Sequence, residues 1–172
     1  MLGLPFLSVK EQIIDTYNTV KWGFLHDCRA VVFPINIKPY TLLYHMNKTG
    51  FYNPISYWSI IFLLDMFKPE ELSKITIAWY GDRDEGDPFS NDKTLFPMCC
   101  DKCYPKLMEF FRCFNSDSSY QRRSNLLASI LKESNLCDCY NQFIRNYYCV
   151  ENNNFEFNYS KYVKKLKEDL NI

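Results

Sequence analysis

The sequence is poor in glycine and carries no net charge, and each shortage argues against a class of function. Its 172 residues include five glycines, which leaves little scope for the glycine-rich loops that cradle nucleotide phosphates. The 20 Lys and Arg residues balance the 20 Asp and Glu residues, so no overall field attracts nucleic acid or an acidic membrane. We therefore expect a protein that binds neither nucleic acid nor a membrane.

Long hydrophobic runs are also missing. The longest apolar run, ISYWSIIFLLDMF at 55–67, is interrupted by Asp65 and falls well short of the roughly 20 residues that span a bilayer. The first residues, MLGLPFLSVKEQ, lack the early positive charge of a secretory signal. These features predict a cytosolic protein, and in that reducing compartment its eight cysteines are not expected to form disulfides.

Histidine is scarce, and short catalytic motifs are absent from the sequence. Neither a G-x-S-x-G elbow nor an H-E-x-x-H pair occurs. A base that titrates near neutral pH could come from His26 or His45 alone. We expect a protein without catalytic activity, and a small enzyme that uses one of these histidines is an alternative.

The apolar pattern predicts an α+β fold in one compact domain, 1–172, with the sheet first. Apolar side chains alternate within three segments, and ITIAWYG forms a fourth short apolar run. Alternation is typical of half-buried strands, so we expect an N-terminal antiparallel sheet of about four strands. The predicted strands lie at 20–24, 31–37, 40–46 and 75–81. Pro34 places the second strand at an edge or a bulge.

Helices are predicted on either side of this sheet. Ser8 and Glu11 have the spacing of a capping box, which predicts a short first helix. The segment 55–67 is apolar nearly all round, as in a helix buried at the centre of a fold. It would pack between the sheet and a C-terminal helical half. In that half, helical spacing marks four segments, at about 105–114, 119–133, 136–149 and 159–170.

Four cysteines are the best candidates for metal ligands. Cys100 and Cys103 have C-x2-C spacing, and Cys137 with Cys139 could complete a four-thiolate zinc site. The second pair has the less favourable C-x-C spacing. We therefore expect mostly buried thiols and no cofactor. A zinc-stabilised RNA-binding protein is the alternative.

Aromatic residues make up 17% of the chain, more than one interior of this size easily holds. Rings near predicted turns are therefore expected at the surface, where aromatic side chains supply much of the energy of protein interfaces. An acidic segment close to some of them could meet a basic partner surface. The predicted contact residues are Phe6, Phe33, Tyr40, Phe51, Tyr52, Tyr80, Asp82, Asp84 and Phe89.

Phe, Tyr and Cys number 14, 13 and 8. Their codons UUY, UAY and UGY together indicate a uracil-rich coding strand. In this composition, over its whole length and without a motif, the chain resembles accessory proteins of positive-strand RNA viruses such as coronaviruses. The resemblance implies a cytosolic antagonist that binds a host protein complex and counters a stress or innate response. One route would be relief of translational shut-off at the guanine-nucleotide exchange factor of translation initiation.

Overall fold

The computed structural model describes residues 1–78, 94–149 and 155–171. Helices dominate these residues. They are α1 (Val9–Leu25), α2 (Leu42–Lys48), α3 (Trp58–Asp65), α4 (Pro69–Leu72), α5 (Tyr104–Ser116), α6 (Tyr120–Lys132), α7 (Cys139–Tyr148) and α8 (Phe155–Leu170). The strands are β1 (Ala30–Val32) and β2 (Ile75–Ile77), and a 3-10 turn, Glu133–Leu136, joins α6 to α7.

The predicted antiparallel sheet of four strands is wrong. The described residues are mostly helical, and their sheet consists of β1 and β2 running parallel, with Ala30 opposite Ile75. The predicted strand at 20–24 lies inside α1, and the segment 40–46 runs into α2. In an alternating run of five residues, the first and last apolar side chains are four positions apart. Residues four positions apart also lie on one face of a helix, so the pattern does not distinguish a strand from a helix.

Polar side chains mark where three helices begin. Ser8 and Glu11 form the predicted capping box at the start of α1, each side chain accepting the backbone N–H of the other residue. Thr41 caps α2 by accepting the N–H of Tyr44, and Ser119 caps α6 in the same way. These caps satisfy backbone donors that have no partner within the helix.

The main core surrounds α3, the helix that the sequence placed at the centre. Its residues Trp58, Ile60, Ile61, Leu63 and Leu64 are all buried. Helices α1, α6 and α7 pack against it. None of the helices in the described part of the chain combines the length and the apolar character that crossing a bilayer requires.

A second, smaller core lies under α8. Tyr162 of α8 is buried there with Ile37, Met46 and Tyr52. Its hydroxyl lies 3.0 Å from Nδ1 of His45, which belongs to α2. This cluster anchors α8 to the N-terminal part of the chain.

Arg123 of α6 is a charged side chain in the interior, only 4% exposed. Its guanidinium donates hydrogen bonds to the backbone carbonyls of Leu72, Ile75 and Asp117. It also lies over the ring of Phe114, 4.4 Å from the ring centre. One side chain thus holds the end of α4 and the start of β2 against α6.

We predict that Arg123→Met lowers the free energy of unfolding by about 3 kcal/mol, because the buried carbonyls lose their donors. Urea unfolding followed by circular dichroism measures the change. The matched control is Arg122→Met at the neighbouring position, where the side chain is 77% exposed. It is expected to change stability by less than about 0.5 kcal/mol. Equal effects of the two substitutions would contradict the structural role of Arg123.

Candidate metal centre

Two helix starts bring the four candidate cysteines together. Cys103 is the N-cap residue of α5, and the N–H of Cys103 donates to the carbonyl of Cys100 at 3.0 Å. Cys137 follows the 3-10 turn, and Cys139 is the first residue of α7. Helix N-termini carry partial positive charge, which favours the thiolate form of a cysteine.

The sulfur atoms form a compact group. All four Sγ atoms lie within 4.8 Å of one another. Cys137 is 3.4 Å from Cys100 and 2.9 Å from Cys103, measured between Sγ atoms. A tetrahedral ion with metal–sulfur bonds of about 2.3 Å separates its sulfur ligands by about 3.8 Å. The cluster of Cys100, Cys103, Cys137 and Cys139, here called the four-cysteine cluster, could therefore hold a metal ion.

The thiols of the cluster differ in how readily they ionise. The backbone N–H of Cys103 and the thiol of Cys137 lower the pKa of Cys100 to about 6, and the backbone N–H of Lys102 adds to this. Burial raises the pKa of Cys103 well above its usual range and raises that of Cys139 to about 11. One thiolate is thus favoured, and further ionisation needs a cation to offset the added negative charge.

The cysteines are less buried than the sequence predicts. Of the eight cysteines Cys103 alone is buried, whereas the other three members of the cluster are half-buried. Cys99 adjoins the cluster without belonging to it, and burial raises its pKa to about 12. Cys28 and Cys149 are exposed. The sequence thus grouped the four cysteines that the structure brings together, whereas its prediction of mostly buried thiols holds for Cys103 and not for the exposed Cys28 and Cys149.

The predicted contact residues have different surroundings. Phe6 and Phe51 are half-buried beside Tyr162, with ring centres 6.0 and 5.3 Å away. Tyr52 is buried in the same cluster and donates its hydroxyl to the carbonyl of Gly3 at 2.6 Å. The structure thus brings three predicted surface residues together in the small core under α8.

The remaining predicted contact residues do not join that cluster. Tyr40 is exposed, and its φ of 62° lies in the left-handed region. Phe33 is half-buried next to the bridge between Leu2 and Pro34. Tyr80, Asp82, Asp84 and Phe89 lie outside the described residues.

An exposed apolar face of α1 was missed by the sequence reasoning. Trp22 is 64% exposed and Leu25 is 82% exposed, and Ile14 lies on the same side of the helix. Together they form what we call the α1 face. Ile13 and Val20 occupy the buried side. Helical spacing from Ile14 through Trp22 to Leu25 is the signal that could have revealed this face.

The two histidines lie in separate places. His26 follows α1, and its ring centre is 4.5 Å from that of Trp22. His45 lies between Tyr162 and the carboxylate of Asp169, with Nε2 3.4 Å from the nearer oxygen. This second arrangement joins α2 to α8. A catalytic role for either histidine stays a prediction from the sequence.

Comparison with protein-family models, with curated proteins and with solved structures finds no match to this chain.

We predict that iodoacetamide modifies Cys100 of the metal-free protein before Cys103 and Cys139 at about pH 7. Cys100, with a pKa of about 6, is then mainly the reactive thiolate, whereas burial keeps the other two protonated. Peptide mass spectrometry over a range of pH values measures each rate. The exposed Cys28 and Cys149 report on reagent access in the same sample. A Cys100 rate that still rises steeply well above pH 7 would contradict the prediction.

Proposed function

We propose that this chain is a non-enzymatic, zinc-stabilised binding protein that occupies a surface of a host protein complex. The observation that carries the binding role is the α1 face, on which Trp22 and Leu25 are largely exposed. Trp is the residue type most enriched among the energetic centres of protein interfaces. The two side chains project from adjacent turns of a helix that the core holds rigidly.

Rigid presentation favours binding for an energetic reason. Helix α1 is fixed by buried Ile13, Thr16 and Val20, so its exposed side chains lose little backbone freedom when a partner covers them. Because Trp22 is 64% exposed, covering it removes on the order of 150 Å² from water. At about 25 cal/mol per Å², that area represents roughly 4 kcal/mol before the losses on association.

Zinc is the ion that best suits the four-cysteine cluster. Four thiolates at two helix starts provide the soft ligand set of closed structural zinc sites. Among divalent ions that accept such a set, zinc binds more tightly than ferrous iron. Four protein ligands leave no position for water or substrate, which supports a structural role for the metal.

The proposed zinc would link segments that are distant in the sequence. Cys100 and Cys137 are 37 positions apart. Helix α7, which starts at Cys139, packs Phe143 and Tyr147 against Phe62 of α3 with ring centres 5.5 and 4.6 Å apart. Helix α7 also packs against α1. Zinc would therefore secure the support beneath the α1 face.

The compositional resemblance to viral accessory proteins supports a host complex as the partner. Within that class of activity, we propose the guanine-nucleotide exchange factor of translation initiation as the first target. A protein without catalytic activity can relieve translational shut-off by covering a surface that the phosphorylated initiation factor needs. The proposed outcome is continued translation in stressed cells.

We predict that native mass spectrometry of the purified protein shows one bound zinc. Chelation is expected to lower the melting temperature by about 10 °C, because metal binding contributes several kcal/mol to folding. Cys103→Ser is expected to lose the zinc and to show the same reduced melting temperature. Cys113→Ser is the control, since Cys113 hydrogen-bonds Glu109 at 3.2 Å and lies outside the cluster. Full stability of a zinc-free wild-type protein would contradict the proposal.

We predict that Trp22→Ala combined with Leu25→Ala weakens binding to the purified exchange factor at least about 30-fold. The melting temperature is expected to stay unchanged, because both side chains are exposed in the isolated protein. Surface plasmon resonance measures the affinity, and a translation reporter in stressed cells measures the effect. Tyr120→Ala, which removes an exposed ring from α6, is the control.

Two outcomes of that experiment count against the proposal. Equal binding of the double variant and the wild type would exclude the α1 face. Loss of the complex after nuclease treatment would favour the zinc-stabilised RNA-binding alternative instead.

A further inference from the structure

We propose that the four-cysteine cluster is also an oxidation site, at which a peroxide joins Cys100 to Cys137 and expels the bound metal. This inference rests on the proposed zinc centre and concerns its regulation. It depends on which sulfur atoms solvent can reach and on the distances between them.

Exposure excludes Cys103 from direct oxidation and leaves Cys100, Cys137 and Cys139 accessible, and a short distance then pairs Cys100 with Cys137. Cys103 is 2% exposed, so the fold shields it from oxidants in solution. Cys100 and Cys137 are half-buried, and their Sγ atoms are 3.4 Å apart. A disulfide needs a sulfur–sulfur distance of about 2.05 Å. The two sulfur atoms must therefore approach by about 1.4 Å, a shift within reach of side-chain rotation.

The position of Cys100 favours it as the first group to be oxidised. It lies in the loop before α5 and is half-buried, so a peroxide in solution has partial access to its sulfur. Thiolates with partial solvent access are the cysteines that peroxides oxidise most readily. The Sγ atom of Cys137 lies 3.4 Å from that of Cys100, and we therefore assign Cys137 as the partner in the disulfide.

The reaction balances with hydrogen peroxide as the oxidant. The Cys100 sulfur attacks one peroxide oxygen, so that an S–O bond forms, the O–O bond breaks and hydroxide leaves to become water. The Cys137 thiolate then attacks the Cys100 sulfur, forming the S–S bond and releasing the second oxygen as water. The two thiolates lose two electrons in total, the solvent supplies two protons to the departing hydroxides, and one peroxide is reduced to two waters.

Metal release follows from the number of ligands that remain. After oxidation, Cys103 and Cys139 are the thiols left in the cluster, and two thiolates do not complete a tetrahedral site. The new disulfide still joins the loop before α5 to the segment before α7. The protein thus exchanges a metal link for a covalent link between the same two segments.

The test uses the zinc-loaded full chain with Cys28, Cys113 and Cys149 changed to Ser, which removes the thiols remote from the cluster. The protein is titrated with hydrogen peroxide in the presence of a zinc-sensitive dye, and its disulfides are mapped by peptide mass spectrometry. We expect release of about one zinc per protein together with a Cys100–Cys137 disulfide. A thiol reductant followed by zinc is expected to restore the starting state.

Cys99→Ser in the same background is the matched control, because this thiol adjoins the cluster without belonging to it. It is expected to release zinc and form the same disulfide. A chain that binds no zinc overturns both the zinc centre and this inference. A zinc-loaded chain that keeps its metal under peroxide, or that links another pair of cysteines, overturns the oxidation site and leaves the zinc centre standing.

Discussion

A helix without a polar side needs neighbours in every direction, and this constraint on α3 organises the molecule. Trp58, Ile60, Ile61, Leu63 and Leu64 project all round the helix and are buried on all sides. Transfer of each such side chain from water contributes about 2 kcal/mol, so contacts that leave any of them exposed are disfavoured. Helices α1, α6 and α7 pack against α3, and the two short strands add Val32, Ile75 and Ile77 to the same core.

The sequence predicted the C-terminal half well because its signals there are strong. Helical spacing over ten or more residues distinguishes a helix from a strand, and α5, α6 and α7 lie close to the predicted segments. In the N-terminal half the strand predictions were wrong where the apolar patterns were short. A run such as 20–24 has only five residues, and its apolar positions fit both the two-residue period of a strand and the 3.6-residue period of a helix. The capping box at Ser8 and Glu11 marked the start of α1, but no equally clear signal showed that the helix continues to Leu25.

The candidate site illustrates a different limit. Spacing alone selected Cys100, Cys103, Cys137 and Cys139 as possible partners, since paired cysteines are the usual beginning of a thiolate site. Their convergence depends on α6 returning the chain to the start of α5, and no residue in either pair specifies that path. Aromatic surface residues were harder still. Exposure of a ring depends on which side of its segment the core covers: Trp22 of α1 is exposed, whereas Tyr52, in the loop after α2, is buried.

The parallel pairing of Ala30 with Ile75 has a consequence for how the chain acquires its structure. Parallel neighbours need a long crossover, and here α2, α3 and α4 occupy it. Closing so large a loop loses entropy that three residue pairs repay only weakly. We therefore expect the strands to pair late, after the crossover helices have packed. Arg123, which donates to the carbonyls of Leu72 and Ile75, would then hold the start of β2 in place.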